Sequence, residues 1–236
     1  NMCAKKKKML YDTDKWLLPY KDAIDKRRKM ILEAKERLSK DGSLSKGMNN
    51  HIYYGLHHDA QGNWVFREWA PNATKIYLIG DFNNWKRSEA YALRPMGGGN
   101  WEITLPAMFL DHGALYKLFI EWPGGGAERL PSYVTRTVQD VQTKQFCAQV
   151  WDPVKPYEWR HPKPGKRPHP LIYECHIGMA TEEERVGTFE EFRLNVLPKV
   201  ADLGYDTIQI MALQEHPYYG SFGYQVSNFF ALSSRF

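Results

Sequence analysis

Residues 214–231 hold the densest set of side chains able to meet a ligand, because Gln214, Glu215, His216, Tyr218, Tyr219, Phe222, Tyr224, Gln225, Phe229 and Phe230 follow directly on an apolar strand pattern. Tyr224 offers a flat apolar face to the CH-rich face of a sugar ring, and Gln225 and His216 offer hydrogen-bonding groups for its hydroxyls. Tyr218, Tyr219, Phe229 and Phe230 are expected to pack on one another as a small aromatic core holding the loop. A second set lies at Gly80-Asp81-Phe82-Asn83-Asn84-Trp85, with Tyr116-Lys117 on a later strand pattern. An indole on a loop after a Gly-Asp turn can stack on a glucose unit, and a nearby lysine can donate to ring hydroxyls without an anionic ligand. A core Trp85 and a solvated Lys117 fit the same residues equally well.

Other chemistries lack their residues. His57 and His58 are adjacent and point apart in a strand, and His51, His112, His161, His169, His176 and His216 have no metal-ligand spacing such as H-E-x-x-H. No G-x-S-x-G or phosphate-cradling glycine motif is present, and no cofactor is implied. Glu174 and Glu215 are the acids on or at the ends of the two apolar strands near the C-terminus, and each is expected to be structural. Cys3, Cys147 and Cys175 are odd in number and widely spaced, as idle thiols are.

The net charge of +5 is concentrated at one end. Residues 1–40 hold thirteen Lys or Arg against six Asp or Glu, so the remaining 196 residues are slightly acidic. This distribution points to a solvated basic tail and away from a nucleic-acid partner. No apolar run reaches bilayer length and no secretory signal is visible, so neither a membrane partner nor export is expected and the setting is expected to be cytoplasmic.

The elements that must position these residues change class along the chain. Leu17, Tyr20, Ile24, Ile31, Ala34 and Leu38 recur at helical spacing, which predicts an amphipathic helix over 16–38 ended by Asp41-Gly42. Residues 51–146 read as short strands, at Ile52–Leu56, Trp64–Trp69, Lys75–Ile79, Ala92–Arg94, Trp101–Leu105 and Leu115–Trp122. Gly-rich breaks separate them, as in a sandwich of two antiparallel sheets. The prolines between Pro153 and Pro170 exclude helix and sheet and mark a stiff linker. Beyond it, strand 171–176, a helical stripe from Phe189 to Leu203 opened by Thr188 and Glu191, and strand 207–213 predict a parallel strand-helix-strand unit. Pro198 should kink that helix or mark its last turns.

The segments Leu171–Met179, Leu203–Ala212 and Gln214–Gln225 resemble the opening of the catalytic barrel of 1,4-α-glucan branching enzymes, of the α-amylase superfamily and glycoside hydrolase family 13. Trp64–Pro71 and Gly80–Trp85 resemble the family 48 carbohydrate-binding module that precedes such barrels. The resemblance implies four segments: an N-terminal helical segment (1–42), an all-β immunoglobulin-like module (43–146), a Pro-rich linker (147–170) and the first β-α-β of a TIM (β/α)8 barrel, incomplete here (171–236). It further implies that a carboxylate attacks an α-1,4 bond and a glucan 6-hydroxyl accepts the chain, forming an α-1,6 branch in glycogen or starch. By that match Tyr224 stacks at the cleavage subsite and Trp85 and Lys117 contact glucan on the module. The family's three catalytic carboxylates lie on later barrel strands, so this chain is expected to carry no catalytic residue and no branching activity, and the full-length form to be a monomer. Two alternatives share parts of the pattern. They are a debranching enzyme of the isoamylase type and a non-catalytic glycogen-binding subunit like the β subunits of AMP-activated kinase.

Overall fold

A computed structural model describes residues 8–39 and 41–236, which form two compact units divided between Asn50 and His51. In the first, the α-helix begins later than its apolar stripe suggests. Lys15–Tyr20 is a 3₁₀ turn containing Pro19, and the α-helix runs Lys21–Leu38. Pro19 has no N–H to give to an α-helical ladder, and the Asp14 carboxylate accepts from Trp16 N at 3.0 Å to hold the tighter turn. Asp22 near the start of the helix and Lys35 and Arg37 near its end complement the helix dipole.

The second unit opens with two antiparallel sheets. One holds β1 (Gly55–His58), β2 (Trp64–Trp69), β4 (Arg94–Gly97) and β5 (Asn100–Leu105) in the order β1-β2-β5-β4. The other holds β3 (Lys75–Gly80), β6 (Leu115–Trp122), β7 (Gly125–Arg129), β8 (Thr137–Gln139) and β9 (Phe146–Gln149), in the order β3-β6-β9-β8 with β7 also on β6. Trp64, Phe66 and Ile103 from the first sheet join Ile76, Leu78 and Leu118 from the second in one buried cluster. Removing any of these large side chains should cost ~2–5 kcal/mol. The buried Glu68 is paired, accepting from Ser132 N at 2.9 Å and Trp69 N at 3.0 Å.

Several strands differ from the sequence expectation. Asn50–Tyr53 is a helical turn and the first strand starts at Gly55, whose φ of 87° turns the chain into the sheet. The expected strand at Ala92–Arg94 is a single bridge at Ala92, with the true strand at Arg94–Gly97. Strands β7, β8 and β9 were hidden by glycines and by polar residues, because strands with one solvated face need few apolar side chains.

Residues 150–171 contain no helix or strand. Beyond them β10 (Ile172–His176) and β11 (Thr207–Met211) pair in parallel, with the helical crossover between them. Thr188 caps the crossover by accepting from Glu191 N at 3.2 Å, while Glu191 accepts from Thr188 N at 2.9 Å. Phe192–Val196 is a π-helical turn, and Pro198 sits at the start of the following α-helical segment Leu197–Asp202. The irregularity therefore precedes the proline, which occupies first-turn positions where a missing N–H breaks no bond. Phe192, Cys175 and Ile177 form the small core of this unit, with Ile208 and Ile210 against it. The aromatic stretch after β11 is more regular than a loop. Gln214–Glu215 (β12) pairs antiparallel with Asn228–Leu232 (β13).

Candidate functional site

Strand alternation decides which way Lys117 faces. Tyr116 and Leu118 point into the sandwich core, so Lys117 between them lies on the opposite face of β6. Its side chain is only 11% exposed, and Nζ donates to Glu128 Oε2 at 2.9 Å and to Gln145 Oε1 at 3.4 Å. The same Nζ lies 6.0 Å from the centre of the Trp85 ring. The two residues come together because β3 ends in a turn held by hydrogen bonds at Gly80, Asp81, Asn83 and Trp85. Gly80 O accepts from Trp85 N at 2.9 Å, and Asn83 Oδ1 accepts from Gly80 N at 3.0 Å. A side chain at Gly80 would come within 2.3 Å of Leu115 O, so the close approach of β3 to β6 requires glycine.

Asn84 and Trp85 have φ of 52° and 59°. A bulky residue in the left-handed region is held there against its preference by the surrounding bonds. Asp81 supplies two of them, accepting from Trp85 Nε1 at 3.1 Å and, through its other oxygen, from Leu115 N at 2.8 Å. The indole is therefore oriented before any ligand arrives. Around it lies a groove of about 630 Å³ lined by Asp81, Trp85, Lys117, Gln139, Thr143 and Gln145 among others. A flat aromatic with a ring of donors and acceptors suits a polyhydroxylated ring. Cys147 also lines the groove, and burial pushes its thiol up from the ordinary value, so it is poorly suited to act as a nucleophile.

The second set of residues does not join this groove. Tyr224 is 83% exposed and Gln225 is exposed, on the chain between β12 and β13. Gly223 makes that position possible. Its φ is 79°, and a Cβ there would come within 2.3 Å of Ala212 Cα. His216 is fully buried, and Nδ1 donates to Gln214 O at 2.9 Å. As folded here its ring is turned away from any surface ligand, which corrects the expectation of a hydroxyl-binding group. Glu215 is likewise fully buried, accepting from Thr137 Oγ1 at 2.9 Å, Ser234 N at 2.8 Å and His216 N at 3.1 Å. Both of its oxygens are thereby engaged by donors within the fold.

The expected aromatic mini-core is not formed as such. Tyr218 and Phe229 are exposed, and Tyr219 and Phe222 set their edges against His176, each at 5.8 Å between centroids. Phe230 instead stacks on Tyr133 of the sandwich at 4.9 Å. Burial, and secondarily His216, lowers the His176 pKa below the ordinary imidazole range. Sequence reasoning missed Glu128, Gln139, Thr143 and Gln145, which come from the unrecognised strands β7 to β9. The available signal was Asp140 three residues before Thr143, a side chain that closes its own turn by accepting from Thr143 N at 2.6 Å.

The architecture is thus a β-sandwich with a pre-oriented tryptophan in a polar groove, followed by a parallel strand-helix-strand unit. Residues 53–135 match the family of carbohydrate-binding module 48, described as the isoamylase N-terminal domain. Along nearly its whole length the chain is homologous to 1,4-alpha-glucan-branching enzymes. It is 37% identical to that of Yarrowia lipolytica over 232 residues, which are 94% of this chain and 33% of that protein. The chain spans about a third of the length of the curated relatives it matches. Among solved structures it resembles a putative alpha amylase from Salmonella typhimurium (TM-score 0.62, 23% identity, covering 78% of this chain and 28% of that one). It also resembles the Group B Streptococcus pullulanase SAP, solved with maltotetraose (TM-score 0.59, 21% identity, 76% and 28% covered). These are likenesses of fold alone.

Proposed function

We propose that the chain is part of a 1,4-alpha-glucan-branching enzyme whose immunoglobulin-like sandwich holds an α-glucan in the groove of Trp85 and Lys117. The observation that carries this reading is the left-handed backbone at Trp85. That conformation sets the indole near Lys117 in a groove that Gln139 and Gln145 also line. Strain held in place by hydrogen bonds at a groove marks a site prepared for a ligand. Affinity electrophoresis in glycogen gels tests it. The chain should be retarded and Trp85→Ala should lose most of the retardation, whereas equal mobility of the two proteins in glycogen would refute the assignment.

The strand-helix-strand unit is read as the first β-α-β of a (β/α)8 barrel. The support is a parallel pair with a helical crossover and the α-amylase-family structural neighbours. On that reading Tyr224 and Gln225 belong to the substrate surface beyond the carboxyl end of β11, and branching is the activity of the whole enzyme: cleavage of an α-1,4 bond and transfer to a 6-hydroxyl. The residues of this chain do not carry it out alone. Glu215 is sealed beneath Thr137, and Glu174, on β10, accepts from Gln209 Nε2 at 3.3 Å, so neither stands as an acid at Tyr224. Incubation of the 236-residue chain with amylose should leave the iodine stain unchanged, and a falling stain would overturn this. No helix of the described residues is long and apolar enough to cross a membrane. A cytoplasmic, monomeric full-length enzyme is the setting that fits this reading.

A further inference from the structure

The groove of Trp85 is lined by the carboxylates of Asp81, Glu128 and Asp140, and two of these are committed to the fold. Asp81 accepts from Trp85 Nε1 with one oxygen and from Leu115 N with the other, while Asp140 Oδ1 accepts from Gln142 N and Thr143 N to close its own turn. Glu128 differs. It stands opposite Phe119 in the β6–β7 ladder, so its side chain shares the outer face of the sheet with Lys117, two residues before Phe119. Its Oε2 accepts from Lys117 Nζ at 2.9 Å, whereas Oε1 has no donor among the described residues and the side chain is 49% exposed. Lys117 is nearly buried and donates to both Glu128 and Gln145, which leaves one ammonium hydrogen unspent. The pair thus sets one unused acceptor beside one unused donor, next to an indole whose centre lies 6.0 Å from Nζ.

A lysine alone can only donate, whereas each sugar hydroxyl both donates and accepts. A carboxylate next to an ammonium can therefore hold two neighbouring hydroxyls at once, with charge assistance on each bond. In an inner unit of an α-1,4-glucan the oxygens on C1 and C4 are taken by the linkages, so the neighbouring free hydroxyls are those on C2 and C3.

We infer that Glu128 is a glucan-binding residue that works with Lys117 to clamp the 2- and 3-hydroxyls of the glucose unit stacked on Trp85, leaving the 6-hydroxyl unread. The inference rests on the glucan reading above and adds the residue and the hydroxyls that set specificity. A unit that carries a branch on its 6-oxygen keeps both clamped hydroxyls, so branched and linear chains fit the groove alike.

Calorimetry of the 236-residue chain with β-cyclodextrin, a ring of α-1,4-linked glucose, and with its 6-O-methyl and 2,3-di-O-methyl derivatives tests this. The unaltered chain should bind the 6-O-methyl sugar within about two-fold of the parent and the 2,3-di-O-methyl sugar about ten-fold more weakly. Glu128→Gln keeps the size of the side chain and an oxygen that can accept from Lys117, but removes the charge. It should weaken β-cyclodextrin and the 6-O-methyl sugar by about five- to ten-fold and change the 2,3-di-O-methyl sugar by less than about two-fold. That last comparison separates a contact to the sugar from a merely structural partner of Lys117, because a disturbed groove weakens all three sugars alike. Unchanged binding of β-cyclodextrin by Glu128→Gln, an equal loss on all three sugars, or a 6-O-methyl sugar bound as poorly as the 2,3-di-O-methyl one would each overturn the assignment. If the unaltered chain binds none of the sugars, the glucan reading fails and the clamp with it.

Discussion

The hydroxyl of Thr137 on β8 donates a 2.9 Å hydrogen bond to Glu215 Oε2 on β12, and both side chains are buried. A carboxylate with no contact to water thereby ties the five-stranded sheet to the β12–β13 pair. Because the same carboxylate also accepts from Ser234 N and His216 N, it closes the backbone on either side of the exposed aromatic segment. Thr137→Val keeps the shape and removes one of three donors to a buried carboxyl group. It should lower stability by ~1.5–3 kcal/mol in urea unfolding. A shift below ~0.5 kcal/mol would mean that the carboxylate finds another donor.

Gly80→Ala should be among the most damaging single-methyl additions. The added carbon meets a backbone carbonyl at 2.3 Å, and neither β3 nor β6 can withdraw without breaking their register, Gly80 opposite Tyr116. A loss of ~1–3 kcal/mol is expected, with weakened glycogen retardation because Trp85 N hangs on the same residue. A stable Gly80→Ala protein with unchanged glycogen binding would show that the turn is softer than its packing implies.

Asp81 acts through Trp85 and so is a positioning residue. Asp81→Ala should free the indole and cost maltoheptaose affinity by about three- to ten-fold, as expected when one orienting hydrogen bond to a stacking ring is lost. Asp81→Asn, which keeps an oxygen acceptor, should recover part of the loss. No difference between the two variants would remove the orienting role.

His176 makes stability depend on pH. Burial, then the neighbouring His216, holds its imidazole below the ordinary value of 6.5. The unfolded chain therefore takes up a proton that the folded chain resists, and stability contributed by the neutral ring is lost as pH falls below about 6.5. Urea midpoints should rise with pH through this window and level off above it. His176→Phe, which keeps a ring against Phe236, should flatten that part of the curve. An unaltered slope in the variant would assign the effect to another group.

Periodicity made β2, β3, β5 and β6 legible, since each buries alternate or continuous apolar residues, and the Pro-rich stretch announced its own lack of regular structure. The capping pair Thr188 and Glu191 marked the crossover helix for the same local reason. The strands β7 to β9 left almost no trace, because their ladder hydrogen bonds come from the backbone and their outward residues are polar. Most of the groove around Trp85 was therefore invisible. His216 and Tyr224 show the limit most clearly. Eight residues apart, both suited to a sugar, one is sealed and the other open.

What this amino-acid order settled alone was everything governed by neighbours in the chain: the turn at Gly80–Trp85, the outward side of β6 on which Lys117 lies, the stop at the prolines and the left-handed freedom of Gly223. Only the tertiary structure decided that Lys117 meets Glu128 and Gln145, that Glu215 reaches Thr137 across 78 residues of sequence and that His216 lies inside. The physical reason is that burial and long-range pairing depend on which surfaces exclude water together, and no local spacing encodes that.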